Sequence, residues 1–275
     1  MLKVSEIDKD RLEILSNSIL LEYLKHGINI RDTDYKDNCL YKDFEELSDQ
    51  EDIEKYLRKV SNHFYLIKSL ADIKSINIEH YDYYLRRLWV KNNNGNIYGE
   101  KFEIDLYGRL IESNIKFKRT DPPKADFEIT EFAEPVFIEC VSCLIESDKK
   151  SDKKAINRII NDKNKNDYNK PNTVLLLNLT RLTFRSLKPL LNEGNISEET
   201  KLHLLDAKRV KPILQQAILN SFFGSIISVH ISYPNYTPQW FIQRVDNINI
   251  SNSLKEFLNK FNTPNSIRKS YYPEN

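Results

Sequence analysis

Apolar positions recur along this chain with two different periods, and the change from one to the other divides it. From Ile7 to Lys25, Leu12, Leu15, Ile19, Leu20 and Tyr23 fall at the three- and four-residue spacing of a helix face, and His26-Gly27 offers a glycine where such a helix stops. Asn29 to Asp43 has little periodicity and many turn formers, which predicts a loop. Ser48-Asp49-Gln50-Glu51 reads as a capping-box start for a second helix from Asp49 to Leu70. Tyr81, Tyr84, Leu85, Leu88 and Trp89 mark the apolar side of a third from Ile78 to Val90, after which Asn92-Asn93-Asn94-Gly95-Asn96 closes the helical region.

Beyond that break the period alternates. An amphipathic helix from Gly99 to Glu112 is followed by short β-prone runs at Ile115–Lys118, Pro122–Ile129 and Val136–Ser142. Ile156, Ile159 and Ile160 give a helical face over Lys153–Lys163, and Thr173–Thr180 is apolar on both faces, as in a strand covered on both sides. Two short helices are predicted within Leu182–Leu205, then a helix over Ile213–Phe222, a buried strand over Gly224–Ser232, a final strand pair or edge over Trp240–Ile250 and an amphipathic helix over Ser251–Phe261. Asn262–Asn275 reads as a loosely held polar tail. The predicted organisation is a helical region over 1–95, an α/β core over 96–250 with a helical insertion at about 182–222, and a short helix and tail over 251–275.

Composition narrows the chemistry. With 275 residues the chain can bury a sizeable core. Its 41 Lys and Arg against 40 Asp and Glu leave a formal net charge of +1, so no global basic footprint speaks for nucleic acid. The charges are segregated, however: Glu6–Asp52 is acid-rich, and Lys149–Lys170 is lysine-rich and able to guide a phosphate backbone locally. Three cysteines and no leader-like start predict a reducing, cytoplasmic setting without a disulfide framework, and no run approaches the roughly 20 apolar residues of a membrane span. Cys140 and Cys143 form a lone C-x-x-C with no second pair, which argues against zinc or redox function. Six glycines and the absence of P-loop, dinucleotide, H-E-x-x-H and G-x-S-x-G signatures leave metal-assisted chemistry as the main enzymatic option.

Two acids carry that option. Asp126 and Glu139 stand in runs otherwise apolar and β-prone, where a charge costs several kcal/mol unless it is compensated. Magnesium, with Mn²⁺ as its substitute, takes hard oxygen ligands and retains waters, so carboxylates converging at a sheet edge suit it. Such a metal can polarise a phosphoryl oxygen, activate water and stabilise a leaving oxygen.

The order helix, strand, Pro-x-x-x-Asp, strand, and Glu at the end of an apolar strand resembles the PD-(D/E)xK nuclease superfamily, over about Ile97 to Thr180. The resemblance implies a restriction-endonuclease-like αβββαβ core, one or two Mg²⁺ ions and endonucleolytic hydrolysis of nucleic acid, DNA before RNA. By analogy it implies a setting in restriction, mobile elements or phage defence, with a homodimer or partner subunit. Asp126 matches the motif aspartate, Glu139 the motif Asp/Glu, and Glu103 the glutamate often found in the first core helix. The chain departs where the family has its lysine, for Val141 stands two residues after Glu139. Two lysines can supply the displaced cation: Lys124, on the Asp126 face of an extended strand, and, ranked slightly above it, Lys163, on the sheet-facing side of the lysine-rich helix.

Each residue also has a plainer reading. Glu103 and Glu100 are glutamates that the helix dipole favours in a first turn, Asp126 can open a strand after Pro122-Pro123, and Glu128 reads as a solvated edge residue. Arg86 and Arg87 among Tyr83, Tyr84 and Trp89 could stack on bases, although an aromatic stripe is more often a packing face. His230 reads as a strand histidine. Val141 motivates a second functional reading, in which the fold is kept, catalysis is lost and the chain binds nucleic acid or protein. A third reading, an interaction protein unrelated to nucleases, calls for Glu139 to be paired with an internal arginine.

Overall fold

The computed structural model describes residues 9–48, 53–91, 97–143, 152–180, 209–232 and 239–261. Two compact units make up the chain, one running to Arg109 and one beginning at Leu110.

The first unit is helical: α1 (Lys9–Lys25), α2 (Cys39–Glu45), α3 (Ile53–Ile76), α4 (Ile78–Leu88) and most of α5 (Ile97–Glu112). Helix α1 stops where Gly27 takes φ 73°, which lets the Ile28 N–H reach back to the Tyr23 carbonyl at 3.0 Å. Ile19, Tyr23, Tyr56, Val60, Leu70, Tyr84 and Leu88 are buried in the core of this unit. The segment from Asn29 to Asp43 is no simple loop. A 3₁₀ turn spans Thr33–Tyr35, and Asn38, fully buried, caps α2 by accepting from the Leu40 N–H at 2.7 Å. The other end of the same side chain donates to the Leu88 and Val90 carbonyls at 2.8 and 2.9 Å. Helix α3 runs past the predicted Leu70 to Ile76, and Asn77 caps α4 by accepting from the His80 N–H at 2.9 Å. Three histidines pair with tyrosine hydroxyls: His63 with Tyr23 at 2.9 Å, His26 with Tyr81 at 3.0 Å and His80 with Tyr107 at 2.8 Å.

The second unit is α/β, built on a six-stranded mixed sheet in which spatial order follows chain order. Its strands are β1 (Phe117–Arg119), β2 (Phe127–Ile129), β3 (Val136–Ser142), β4 (Thr173–Asn178), β5 (Ser225–Ser232) and β6 (Gln239–Asp246). The first two pairings and the last are antiparallel, whereas β3 with β4 and β4 with β5 are parallel. A parallel pair needs a crossover, and α6 (Asp152–Lys163) lies in the first. Its Ile156 and Ile160 sink into a cluster with Leu175, Leu177, Ile226 and, from α7 (Lys211–Ile218), Leu214. Burying each isoleucine contributes about 2 kcal/mol. The buried apolar residues of α8 (Asn252–Phe261), Leu254, Phe257 and Leu258, recur at helical spacing. Gly224, before β5, permits a close approach: a Cβ there would lie 2.0 Å from the Pro171 carbonyl oxygen.

Several predicted boundaries shift. Helix α7 ends at Ile218 rather than Phe222, because Leu219 and Phe222 are exposed and give it no face to bury. The run after Trp240 is a single edge strand, β6. The helices expected within Leu182–Leu205, the tail at Asn262–Asn275 and the capping box at Ser48–Glu51 lie wholly or partly outside the described residues. Among the described residues no helix is long and apolar enough to cross a membrane.

Candidate functional site

Pairing between β2 and β3 sets Phe127 opposite Ile138, and one further step in that register sets Asp126 opposite Glu139. Opposed residues share a sheet face, so the two carboxylates project to the same side. Asp126 is half-buried just before β2, and its Oδ2 accepts the Cys140 N–H at 2.7 Å. Its backbone is held from the residue after β1, since the Thr120 N–H donates to the Asp126 carbonyl at 2.9 Å and the Thr120 hydroxyl to the Ala125 carbonyl.

Glu139 is 4% exposed, deep enough to require a partner. Lys163 provides it, its Nζ donating to Glu139 Oε1. The lysine arrives there by helical phase: Ile156, Ile160 and Lys163 follow at four and three residues along one side of α6, and the last turn of a helix favours a cation. Val141 shares a face with Glu139, sits opposite Leu177 in β4 and packs against the same apolar cluster. Position 141 is thus filled by core contact, and the cation beside Glu139 comes from α6. Lys124 stands exposed in the turn before Ala125.

Sequence reasoning missed Tyr168. It lies in the connection after α6, its ring against the apolar cluster and its hydroxyl interacting with Glu139. Burial pushes its phenol upward first, and the charge and hydrogen bond of Glu139 and the charge of Asp126 push the same way. The one available signal was a lone aromatic in the polar run Lys165–Lys170.

The other candidates resolve differently. Glu103 is half-buried in the helical unit, accepts from the Tyr84 hydroxyl at 3.4 Å and lies within the field of Arg87. Glu100 is buried and ion-paired with Arg87, whose guanidinium also lies 5.1 Å from the Tyr83 ring centroid. Tyr81, Tyr84 and Leu88 are buried, so the aromatic stripe of α4 is a packing face. Glu128 is half-buried on β2, and His230 is buried in β5. Neither Cys140 nor Cys143 forms a disulfide, and burial pushes the Cys143 thiol up to about 12, far from a metal-ready thiolate.

Among the described residues no three His, Cys, Asp or Glu side chains gather to hold a metal ion. The pair Asp126 and Glu139 still has the donor chemistry of a magnesium site, which uses one or two carboxylates and leaves the remaining positions to water and substrate. Two carboxylates against one lysine leave a formal negative charge that a divalent cation would offset. Comparison with protein-family models, curated proteins and solved structures found no match to this chain.

Proposed function

We propose that the chain is a metal-dependent nuclease of the PD-(D/E)xK kind, acting on DNA before RNA, with Asp126 and Glu139 holding Mg²⁺ and Lys163 standing in for the motif lysine. The observation that carries this reading is the ion pair between Lys163 and Glu139, made from the helix that follows β3 and directed at the strand that opposes Asp126. The order α5, β1, β2, β3, α6, β4, with three antiparallel strands followed by a parallel fourth, supports the αβββαβ core.

The metal would supply Lewis-acid polarisation of the phosphoryl group and a water of lowered pKa. The chain's own residues do the rest. The Cys140 N–H and the Thr120 contact fix Asp126, so one carboxylate needs no reorganisation. Lys163 balances the charge of Glu139 and, as a flexible point charge with three donors, can turn toward a phosphate oxygen or an attacking water. Attack of a water on phosphorus would break the bond to the leaving oxygen, and the proton given up by the water would end on that oxygen by way of solvent.

One observation favours a second reading, a binding module without turnover: Val141 is part of the packed core, so the motif's own lysine position is apolar. Incubating purified protein with supercoiled plasmid, linear duplex, single-stranded DNA and RNA, in Mg²⁺, Mn²⁺ or EDTA, separates the two. The nuclease reading expects metal-dependent cutting that Asp126→Ala abolishes. Tight binding without cutting by well-folded protein would favour the module.

A further inference from the structure

Helix α6 covers only part of one face of the sheet. Its Ile156 and Ile160 pack with Leu175 and Leu177 of β4, Ile226 of β5 and, at the margin, Val141 of β3, and among the described residues nothing from β1 or β2 joins that cluster. The β1–β2 part of the face is left as an open strip. Register sets what lies on it: Lys118 stands opposite Glu128, and Glu128 opposite Phe137. Two residues along each strand, Thr120, Asp126 and Glu139 make the next row on the same side, with the Thr120 N–H bonded to the Asp126 carbonyl. In the other direction the Thr130 N–H donates to the Lys116 carbonyl at 3.0 Å, so Lys116 falls on the Lys118 side as well. Buried Phe127 and Ile129 take the opposite face.

The strip thus carries lysines along its outer strand and the two acids along its inner border, in rows about 7 Å apart. Both lysines are exposed, whereas Asp126 and Glu128 are half-buried. Among the described residues neither ammonium is in an ion pair, and the Glu131 carboxylate beside Lys116 is taken by Lys260 at 2.6 Å. The inner border is fixed. The loop after α6 is pinned to the start of β3, where the Asn172 amide donates to the Pro135 carbonyl at 2.8 Å, and to the turn after α7, where the Asn169 Oδ1 accepts the Phe222 N–H at 3.0 Å.

We propose that this strip binds the phosphodiester backbone of the substrate: the strand to be cut lies across β1 and β2, with Lys118 and Lys116 each taking a phosphate to one side of the bond held at Asp126 and Glu139. The inference rests on the reading of those two acids as the centre of a nuclease. Each lysine on a phosphate releases a condensed counterion, a contribution that is the same for every base sequence. It acts alike before and during the chemical step, so it governs KM rather than kcat. Lysine on an edge strand also wards off pairing with other chains, and the two roles separate by experiment.

Lys116→Gln, Lys118→Gln and the double variant are compared with wild type and with Lys255→Gln, which loses the same charge elsewhere. Lys255 is exposed on α8, whose Phe261 ring lies 6.3 Å from that of Trp240, on the face turned away from Val245 and the α6 cluster. Binding to duplex DNA, single-stranded DNA and RNA is measured in EDTA over about 50 to 200 mM salt, and cleavage kinetics in Mg²⁺. Each single strip variant should reduce the slope of log K against log salt by about 0.9 on duplex DNA, or about 0.7 on a single strand, and weaken duplex binding about 8-fold at about 0.1 M salt. KM should rise by a similar factor while kcat and the unfolding midpoint hold, and Lys255→Gln should match wild type. Strip variants that behave like Lys255→Gln while wild type cuts overturn the strip, leave the two lysines as guards of an edge, and leave the nuclease reading standing. Binding that depends on both lysines without any cutting supports the strip and removes catalysis from the reading. Wild type that neither binds nor cuts any of the three substrates contradicts the nuclease reading and the strip together.

Discussion

The helical unit and the sheet unit each bury a glutamate against a cation. In the first, Arg87 on α4 meets Glu100 and Glu103, three residues apart on α5, with Tyr83 beneath the guanidinium and the Tyr84 hydroxyl on Glu103. In the second, Lys163 on α6 meets Glu139 on β3, opposite Asp126, with Tyr168 alongside. The ingredients are the same: two carboxylates, one cation and tyrosine. The Arg87 cluster is assembled between two successive helices, and its planar guanidinium serves an ion pair and an aromatic face together, which suits a brace. The Glu139 cluster is assembled from two strands, a helix and a pinned loop, and its cation is a hydrated point charge that can turn to a new partner. A buried acid beside a base is therefore weak evidence of chemistry by itself. Acids opposed across adjacent strands, with donors converging from elements distant in sequence, are stronger evidence.

Removing the two cations should break the comparison most sharply. Lys163→Met and Arg87→Met each strand a buried glutamate, and each should cost about 3 kcal/mol in denaturant unfolding. Only Lys163→Met should also reduce metal-dependent cleavage, by about 100-fold or more, the scale of losing one preorganised electrostatic group. Equal loss of cleavage in both variants would erase the distinction between brace and site.

Acid should act on the helical unit. His63, hydrogen-bonded to Tyr23, is pushed down to about 3 by burial and by Lys101, against the opposing pull of Asp43. Below pH 6.5 the unfolded imidazole binds a proton that the buried ring refuses until about pH 3, so stability falls as pH drops through that window. The slope is about 1.4 kcal/mol per pH unit, and above 6.5 the group adds none. Unfolding curves at pH 7.5 and 5.5 for wild type and His63→Phe check this: the variant should lose the His63 share of the pH dependence, while His26, also held below its ordinary value by burial, keeps its own. The smallest effect is expected from Glu103→Ala, which removes a half-buried carboxylate already served by Tyr84 and Arg87. It should cost about 1 kcal/mol or less and change turnover less than threefold.

Legibility in the sequence followed the range of the forces involved. Strand β3 was readable residue for residue, because a β-prone run after Pro135 that is apolar except at Glu139 and its last residue has few alternatives. The side of α6 on which Lys163 falls was readable from Ile156 and Ile160, since helical phase is local arithmetic. Helix α2 was not, because its buried residues are only Leu40 and Phe44, and Asn38 looks like any turn former until its amide is seen to reach Leu88 and Val90. Tyr168 was hidden for the same reason: asparagines bonding to backbone far along the chain leave no periodic trace.

The measurement that tests the central claim most directly is Mg²⁺-dependent cleavage by Glu139→Gln beside wild type, with the unfolding midpoint of each. The substitution keeps the shape of the side chain and removes the charge that faces Lys163 and opposes Asp126. Loss of cutting with the midpoint close to wild type is the predicted result. Full metal-dependent cutting by Glu139→Gln would contradict the account, because the carboxylate on which the proposed site is built would then have no part in the chemistry.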